Sequence, residues 1–313
     1  MTYFIGVDGG ASKTAALVVD EHGKPLGRGL AGASNHLRVG IEEATRNVER
    51  AVSIALVEAG VAIRDAEYAY CGIAGADHPV HRQRVVDSLR IFFPRGNFIV
   101  DTDARVALTG AVGFGAGIVI ISGTGSVAFG RNGSAEEARA GGWGPTLGDE
   151  GSGYWIAREG LSAIVRAHDG RGFATAMTDL LCDAYGMCKP DDLPRFVYAA
   201  TTHVDDIARY GKLVIDAAQA GDDVAREILT RGGSELAECV LAIARKLHMT
   251  DTEFPVAYVG GAFHAAEMLL SPMRLRIQRD APGAVLVPPE RTPVEGAAMM
   301  AMHAAEAPRP SRV

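Results

Sequence analysis

The chain has 313 residues, of which 48% are hydrophobic and 22% are charged, and its net charge is −7. This length allows a substantial buried core, held in one large domain or divided between two domains. The negative charge argues against a general affinity for nucleic acids, because that affinity depends on lysine and arginine side chains at the phosphates.

The first part of the chain is predicted to contain three strands and a long helix. Apolar runs at Phe4–Val7 and Ala15–Val19 flank a glycine turn, and a second turn leads to a third strand near Gly27–Leu30. Apolar residues then recur at helical spacing from Ile41 to Gly60, and this glycine is typical of a helix C-terminus. The next predicted elements are a strand at Tyr68–Ile73, a helix around His78–Leu89, a strand at Phe98–Val100 and a helix from about Asp103 to Gly110.

The order of strand, glycine turn, strand and turn starts again at Gly117. The apolar runs Gly117–Ser122 and Val127–Gly130 enclose the turn "GTGS", and the hairpin turn "RNGS" follows them. Two such beginnings favour duplicated domains with mixed sheets over one continuous sheet. The remaining predicted elements are mostly helices from Gly151 to Leu247, strands at "FPVAYV" and Ala284–Val287, a last helix at "TPVEGAAMMAMHAAEA" and a frayed terminus at "PRPSRV".

Three glycine turns directly follow apolar strands, at Asp8–Thr14, Ser122–Ser126 and Gly260–Ala262. Glycine lets backbone N–H groups converge on a phosphate at close range, although a lone glycine pair is more often a plain strand connection. The first turn is not a P-loop, because Ser12 stands where that motif requires glycine and a strand follows where it requires a helix. A dinucleotide fingerprint is absent for the same structural reason. We therefore predict hairpin turns that hold phosphate.

Asp8 closes the first strand immediately before its turn. From this position its carboxylate could reach Mg²⁺ or a water bound to the ion, and a turn-capping role is the equal alternative. Lys13 and Thr14 are candidates for contact with the terminal phosphate, with exposure to solvent as the alternative.

A resemblance to a known family rests on segments that occur in a fixed order. These are "GVDGGASKTAALVVD", "AGASNH", "CGIAGAD", "TDARVALTGA", "IVIISGTGSVAFG", "GGWGPTLGDEGSGYWIA" and "VGGAF". With them the chain resembles the N-acetylglucosamine kinases and BadF/BadG/BcrA/BcrD ATPases of the actin-like, hexokinase and Hsp70 superfamily. The resemblance is dense in the N-terminal half and is found later only at "VGGAF" and "PVEGAA". It implies an α/β fold of two ribonuclease-H-like domains with mixed sheets and ATP in a central cleft.

The resemblance also implies domain limits. Residues 1–112 would carry the first phosphate loop and the catalytic base, and residues 113–291 would form a nucleotide-binding domain with a helical insertion. Residues 292–313 would form a helix that packs back on the first domain, and a hinge is expected near Gly110–Gly117.

ATP and Mg²⁺ are the cofactors that the resemblance implies. It assigns to the first phosphate loop Gly9, Gly10, Ser12, Lys13 and Thr14, and to the second Gly123, Thr124, Gly125 and Ser126. Gly260 and Gly261 would line the adenosine side, and Asp8 would hold the metal.

A kinase that acts on an alcohol needs a base near the hydroxyl group. The best candidate is Asp103 in "VDTDAR", between a predicted strand and a predicted helix, where an N-cap aspartate is the commoner alternative for an isolated case. The resemblance favours the base, because "TDA" falls where these sugar kinases carry their catalytic aspartate. Asp101 is the second choice.

The segment "GGWGPTLGDEGSGYWIA" is the candidate acceptor site. Its Asp149 and Glu150 precede a predicted helix, so a favourable interaction with the helix start is one explanation for them. The resemblance instead assigns Asp149, Gly142 and, more weakly, Glu150 to the sugar. It also matches Asn35 in "ASNH", otherwise a turn residue, to a sugar-contacting asparagine. We expect Trp143 and Trp155 to be packing residues.

These features favour a kinase that transfers phosphate from ATP to the 6-hydroxyl of an amino hexose, either N-acetylglucosamine or glucosamine. An ATPase activator for a dehydratase or reductase is the alternative from the same fold. It is disfavoured because "VIISGTGS" has Ile120 and Ile121 where such activators carry a cluster cysteine. A repressor is disfavoured because the first phosphate strand is reached by Phe4, which leaves no room for a DNA-binding module.

Cysteines and histidines predict no metal centre. Four irregularly spaced cysteines fit neither a disulfide framework nor an iron–sulfur or zinc pattern, and they are Cys71, Cys182, Cys188 and Cys239. His78 and His81 lack a third ligand, and the cysteine cluster of the ROK sugar kinases is missing. No signal peptide or membrane span is predicted, so we expect a cytoplasmic enzyme that binds neither nucleic acid nor membrane. A homodimer is the default assembly.

Overall fold

The computed structural model describes residues 2–185 and 189–306, so Cys188 and the terminal segment "PRPSRV" lie outside the described residues. The chain divides into two compact units. Unit 1 comprises the residues up to Gly115 and those from Pro289 onward, and unit 2 comprises Ala116–Pro288. Across the described ranges, no helix is both long enough and apolar enough to cross a membrane.

Each unit begins with three consecutive strands, and helices separate the strands that follow. The strands are β1 (Tyr3–Gly9), β2 (Thr14–Asp20), β3 (Pro25–Ala31), β4 (Ala66–Ile73), β5 (Phe98–Asp101), β6 (Gly117–Ser122), β7 (Ser126–Arg131), β8 (Glu137–Gly141), β9 (Phe254–Val259) and β10 (Ala284–Val287). The helices are α1 (His36–Val39), α2 (Ile41–Ala59), α3 (Pro79–Leu89), α4 (Asp103–Val112), α5 (Gly153–His168), α6 (Met177–Tyr185), α7 (Leu193–Val197), α8 (Val204–Ala208), α9 (Gly211–Gln219), α10 (Asp223–Lys246), α11 (Glu267–Asp280) and α12 (Pro293–Glu306).

Unit 1 contains a mixed sheet with the strand order β3-β2-β1-β4-β5. The first three strands form an antiparallel meander, whereas β4 runs parallel to both β1 and β5. The carboxyl ends of β1, β4 and β5 therefore meet at one edge of the sheet, which is where ligands bind in open α/β sheets. Asp8 of β1 and Asp101 of β5 both stand opposite Gly72 of β4, so the two aspartates lie at the same level on either side of β4.

Unit 2 repeats this topology with the strand order β10-β9-β6-β7-β8. Again the first three strands form an antiparallel meander, and β9 runs parallel to both β6 and β10. The two mixed five-stranded sheets confirm the predicted α/β fold class and the predicted restart at Gly117. The region from Gly151 to Leu247 is mostly helical, also as predicted, and α5, α9 and α10 supply much of the core of this unit.

Helix α12 completes the core of unit 1 from the far end of the chain. Val294, Ala297 and Ala301 pack in one apolar cluster with Phe4 of β1 and Leu17 of β2. The contact is backbone to backbone, because a Cβ atom on Gly6 would overlap the helix at Ala298, and one on Gly296 would overlap α4. Glycine is therefore required at position 6 for the close approach of β1 and α12, and at position 296 for that of α12 and α4.

Candidate active site

The first glycine turn is attached to the rest of unit 1 through its carbonyl groups. The turn closes on itself with a bond of 2.9 Å from the Gly10 N–H to the Lys13 carbonyl. The carbonyl of Gly9 accepts from Ala74, and that of Gly10 accepts from both Ser34 and Asn35, at 3.1 and 3.2 Å. Internal donors thus fix the turn at the carboxyl end of β1.

The side chains that follow this turn lie in different surroundings. Ser12 and Lys13 are exposed, as contact with a phosphate requires. The Thr14 side chain is fully buried, and its hydroxyl donates to the Gly32 carbonyl at 2.7 Å. Thr14 therefore links β2 to the segment that leads to α1, and its hydroxyl proton already has an acceptor.

Asp8 and Asp103 are two carboxyl groups with raised pKa values. Burial raises the pKa of Asp8 to about 6, against the opposing effect of the positive charge on Lys13. Burial also raises the pKa of Asp103 to about 7, and the negative charges of Asp8 and Asp77 add to this shift. At neutral pH Asp103 can therefore exist with or without its proton, as a general base requires.

The N-cap of helix α4 is Thr102, so the alternative interpretation of Asp103 as an N-cap residue is wrong. Thr102 is the N-cap, because its hydroxyl accepts from the Arg105 N–H at 3.3 Å. Asp103 is the first helical residue, and its Oδ1 accepts from the Ala104 N–H at 2.9 Å. The second carboxylate oxygen of Asp103 is not needed for capping.

Asp101 takes part in a buried network. Its carboxylate accepts from the Tyr70 hydroxyl at 2.7 Å and from the Thr102 N–H at 2.8 Å, and it pairs with the Arg105 guanidinium. Arg82 lies 3.7 Å away on the other side. Burial and the Asp101 charge raise the pKa of Tyr70, which keeps this hydroxyl a donor. These partners engage both carboxylate oxygens of Asp101, which gives this side chain a structural role between β4, β5 and α4.

Asn35 lies next to the first turn and caps α1. Its side-chain oxygen accepts from the Leu37 N–H at 3.1 Å, so the residue is an N-cap rather than a simple turn residue. Its own N–H donates to the Gly10 carbonyl, which ties the candidate sugar contact to the first phosphate loop. Gly75 has a φ of +85°, and a Cβ atom there would lie 2.9 Å from the Asn35 oxygen.

Sequence reasoning assigned no role to Asp77, although its charge acts on Asp103. Asp77 follows β4, whose carboxyl end lies between those of β1 and β5. An acidic residue at the end of each of three parallel strands, or just after it, was the available signal. It was missed because "CGIAGAD" was used only as a segment of the resemblance.

The second glycine turn, in unit 2, is joined to the candidate acceptor segment. The Ser122 hydroxyl donates to the Gly151 carbonyl at 2.9 Å, and the Ser126 hydroxyl donates to the Glu150 carbonyl at 2.8 Å. Gly260 has a φ of +121°, and a Cβ atom there would overlap the Ser122 carbonyl. All three predicted elements of this unit, the second phosphate loop, the acceptor segment and the glycine pair after β9, therefore meet at the end of β6.

Asp149 lies between the acceptor segment and the second phosphate loop. It is buried, and a Cβ atom on Gly125 would come within 2.6 Å of its Oδ2. Burial raises the pKa of Asp149, while hydrogen bonds from the Gly144 and Ser126 N–H groups lower it. Its φ of +60° is uncommon outside glycine, and such strain is often kept at functional sites.

The other two acceptor candidates, Gly142 and Glu150, both bind Ser126 of the second phosphate loop through their backbones. The Gly142 N–H donates to the Ser126 carbonyl at 2.8 Å, and the Gly142 carbonyl accepts from Arg139 at 3.0 Å. Glu150 is half-buried. Trp155 packs in the core as predicted, but the prediction for Trp143 is wrong, because its side chain is 69% exposed. The Arg139 guanidinium lies 5.3 Å from the centre of that ring, and the open glycine-rich loop provides no core to cover it.

A divalent cation would have few protein ligands here. In residues 2–185 and 189–306, no group of three His, Cys, Asp or Glu side chains is arranged to hold a metal ion. His78 and His81 therefore belong to no such group within these residues. Mg²⁺ commonly uses one or two carboxylates with water and substrate phosphates, so Asp8 alone beside a phosphate loop fits this ion. Burial leaves the Asp8 carboxylate poorly solvated and thereby raises its pKa. A bound cation would stabilise the charged carboxylate and offset this effect.

Comparison with known proteins gives related sequences over nearly the whole chain. A curated N-acetylmuramic acid/N-acetylglucosamine kinase from Clostridium acetobutylicum is 31% identical over 96% of this chain and 98% of its own length. A curated N-acetyl-D-glucosamine kinase from Dictyostelium discoideum is 30% identical with the same two coverages, 96% and 98%. A solved structure from Chromobacterium violaceum, described as a candidate N-acetylglucosamine kinase, superposes with a TM-score of 0.77 at 28% identity and covers 96% of this chain and 98% of that one.

The family assignment follows from the match to a whole-family description. The model of the BadF/BadG/BcrA/BcrD ATPase family matches residues 5–301, which include all of unit 2 and most of β1 and α12. This chain therefore belongs to the BadF/BadG/BcrA/BcrD ATPase family.

Proposed function

We propose that this protein is an ATP-dependent kinase that phosphorylates the 6-hydroxyl of an amino hexose, N-acetylglucosamine or glucosamine. The curated relatives with about 30% identity are sugar kinases of almost the same length. The structural observation that carries the proposal is the raised pKa of Asp103 beside Asp8, at the sheet edge that also holds the first phosphate loop. Phosphoryl transfer to an alcohol needs a base at such a position.

Asp103 is the proposed general base. Its pKa of about 7 means that a large share of the molecules carry the carboxylate at neutral pH, while the group keeps a strong affinity for the proton that it removes. The base takes the proton of the attacking hydroxyl as the oxygen bonds to the terminal phosphorus of ATP. ADP leaves, and the proton remains on Asp103 until solvent removes it.

ATP is the proposed phosphate donor, with its phosphates on the two glycine turns. Turn amides and the exposed Ser12 and Lys13 suit a polyanion, since amide donors and a lysine charge both stabilise phosphate oxygens. Gly260 and Gly261 are exposed after β9, as contact with an adenosine moiety requires. Asp8 is proposed to hold Mg²⁺, which would neutralise phosphate charge when it is bound.

The sugar is proposed to contact residues from both predicted acceptor segments. Asn35 offers an amide, Asp149 and Glu150 offer carboxylates, and Gly142 offers backbone beside Ser126. Vicinal hydroxyl groups both donate and accept, so they suit this mixture of groups. We propose the primary hydroxyl group, on C6, as the acceptor, because the family resemblance and the named relatives both point to hexosamine kinases.

A coupled assay of ADP release tests the proposal with a panel of hexoses, amino hexoses and N-acetylmuramic acid. We expect turnover with N-acetylglucosamine or glucosamine, and ³¹P–¹H correlation should place the product phosphate on C6. The matching 6-deoxy sugar should bind as a competitive inhibitor without being phosphorylated. ATP hydrolysis that is independent of every sugar would instead favour the ATPase alternative, and a phosphate on another carbon would refute the 6-hydroxyl assignment.

The domain limits 1–112, 113–291 and 292–313, the cytoplasmic location and the homodimer remain part of the proposal. Sedimentation equilibrium tests the homodimer, which requires twice the chain mass of 32.9 kDa.

A further inference from the structure

One side chain of the second phosphate loop is bound by the helical segment of unit 2. The Thr124 hydroxyl donates to Oδ1 of Asp205 at 2.7 Å, although the two residues are 81 positions apart in the sequence. Asp205 lies in α8 and is half-buried. A hydrogen bond to a carboxylate is stronger than one between neutral groups, so this contact fixes the rotamer of Thr124.

The backbone of the same loop is bound by the first turn of α5. The Gly153 N–H donates to the Gly123 carbonyl at 2.8 Å, and the Tyr154 N–H donates to the Thr124 carbonyl at 3.3 Å. In a trans peptide the N–H and C=O groups point in opposite directions. The N–H groups of Thr124 and Gly125, which share peptide planes with these two carbonyls, therefore point away from α5. Two such neighbouring donors form a concave site for an anion.

The helix that carries Asp205 has a fixed position within unit 2. Ile207 and Tyr210 are buried in the core of this unit. A Cβ atom on Gly211, at the start of α9, would lie 3.0 Å from the Gly153 carbonyl. The segment from α8 to α9 thus packs against the same first turn of α5 that binds the loop carbonyls.

We propose that Asp205 is a positioning residue for the second phosphate loop. It holds the Thr124 side chain on one side while α5 holds the carbonyls, so that the N–H groups of Thr124 and Gly125 stay directed at phosphate oxygens of ATP. Because the hydroxyl proton is donated to Asp205, Thr124 serves the phosphate through its backbone. This inference rests on the proposed function and gives the helical segment a role in nucleotide binding.

Substitutions at the two ends of this hydrogen bond test the inference. Asp205→Ala should raise the KM for ATP about tenfold, the effect of one charge-assisted hydrogen bond, and leave the KM for the sugar unchanged. Asp205→Asn should retain most of the ATP affinity, because the amide oxygen still accepts from the hydroxyl. Thr124→Val should resemble Asp205→Ala, and the double variant should be no worse than either single variant.

The neighbouring Asp206 provides a matched control on the same helix. Its carboxylate accepts from the His203 N–H at 2.9 Å and caps α8 without contact to the loop. Asp206→Ala should therefore lower the melting temperature but keep the wild-type KM for ATP. The inference is overturned if Asp205→Ala keeps the wild-type KM for ATP, if Asp205→Asn is as impaired as Asp205→Ala, or if the two single effects add in the double variant.

Direct calorimetry of ATP binding separates this inference from the proposed function. A wild-type protein that does not bind ATP would defeat the proposed function and the inference together. Wild-type binding with equal binding by Asp205→Ala would defeat the inference alone.

Discussion

Asp8 raises the pKa of Asp103, because their carboxyl groups lie at the same poorly solvated edge of the unit 1 sheet. Burial is the larger cause, and the negative charge of Asp8 adds to it. The two groups therefore suit different tasks. Asp8 ends β1 beside the first phosphate loop and can serve a cation, whereas Asp103 keeps a proton affinity suited to a base near neutral pH.

Asp103→Asn should remove most of the catalytic activity and little of the binding. The amide has almost the same shape but cannot accept the hydroxyl proton, so kcat should fall by about 100- to 10,000-fold. The Kd values for sugar and ATP, measured by calorimetry, should stay within a few-fold of wild type. Asp65→Asn, at an exposed site in the same unit, serves as the control and should keep full activity. Near wild-type turnover by Asp103→Asn would show that another group is the base.

The activity should depend on pH through the protonation of Asp103. Below its pKa of about 7 the base carries a proton, so kcat/KM should rise as the pH increases through this value. Asp77→Asn removes a negative charge that raises the pKa of Asp103, so the rise should move to lower pH. Asp77 is exposed and its charge is screened, so we expect a shift of about 0.5 pH unit or less. A shift to higher pH would contradict this electrostatic account.

Ionisation of Asp103 should lower the free energy of unfolding at high pH. The pKa of Asp103 is about 7 in the folded protein and 3.8 for a solvated aspartate in the unfolded chain, so the folded state binds the proton more tightly than the unfolded state. The stabilising effect of this proton is complete below the unfolded pKa and is lost as the pH rises through the folded one. At pH 8 Asp103→Asn should therefore be more stable than wild type by roughly 4 kcal/mol, because it avoids burying a charge.

Thermal unfolding at several pH values checks this expectation. The difference in melting temperature between Asp103→Asn and wild type should shrink as the pH is lowered toward 4. A difference that is constant across this range would show that packing, rather than ionisation, separates the two proteins.

Ser126→Ala should weaken sugar binding more than it weakens ATP binding. The Ser126 hydroxyl donates to the Glu150 carbonyl in a part-buried site. Removing the hydroxyl leaves this carbonyl without its donor, which should lower the free energy of unfolding by about 1–3 kcal/mol. The segment that carries Asp149 and Glu150 should loosen, which raises the KM for the sugar. Ser134→Ala, in the exposed turn between β7 and β8, is the matched control. Equal KM values for Ser126→Ala and wild type would mean that the segment does not depend on this link.

The regular elements could be predicted because their signals are local. Short apolar runs on either side of a glycine turn identify β1 and β2 without knowledge of their neighbours. Helix α2 is equally clear, since Gly60 adopts the left-handed conformation expected after a helix C-terminus. The restart at Gly117 could be predicted for the same reason, because the second meander repeats the local signals of the first.

The candidate site was harder to predict, because its details depend on contacts between distant residues. No local pattern distinguishes Thr102 from Asp103 as the N-cap, since both residue types cap helices. The burial of Thr14 depends on Gly32, and the orientation of Thr124 depends on Asp205, far along the chain. Such pairings arise from the tertiary fold, so they cannot be recognised from local patterns in a single sequence.

The docking of α12 on β1 has a consequence for synthesis on the ribosome. The apolar cluster that includes Phe4, Leu17 and Tyr70 is translated well before the residues of α12 that cover it. All of unit 2 is made in the meantime. A nascent chain therefore exposes this apolar surface until α12 has been made, and a stop codon before residue 293 would leave the surface exposed permanently.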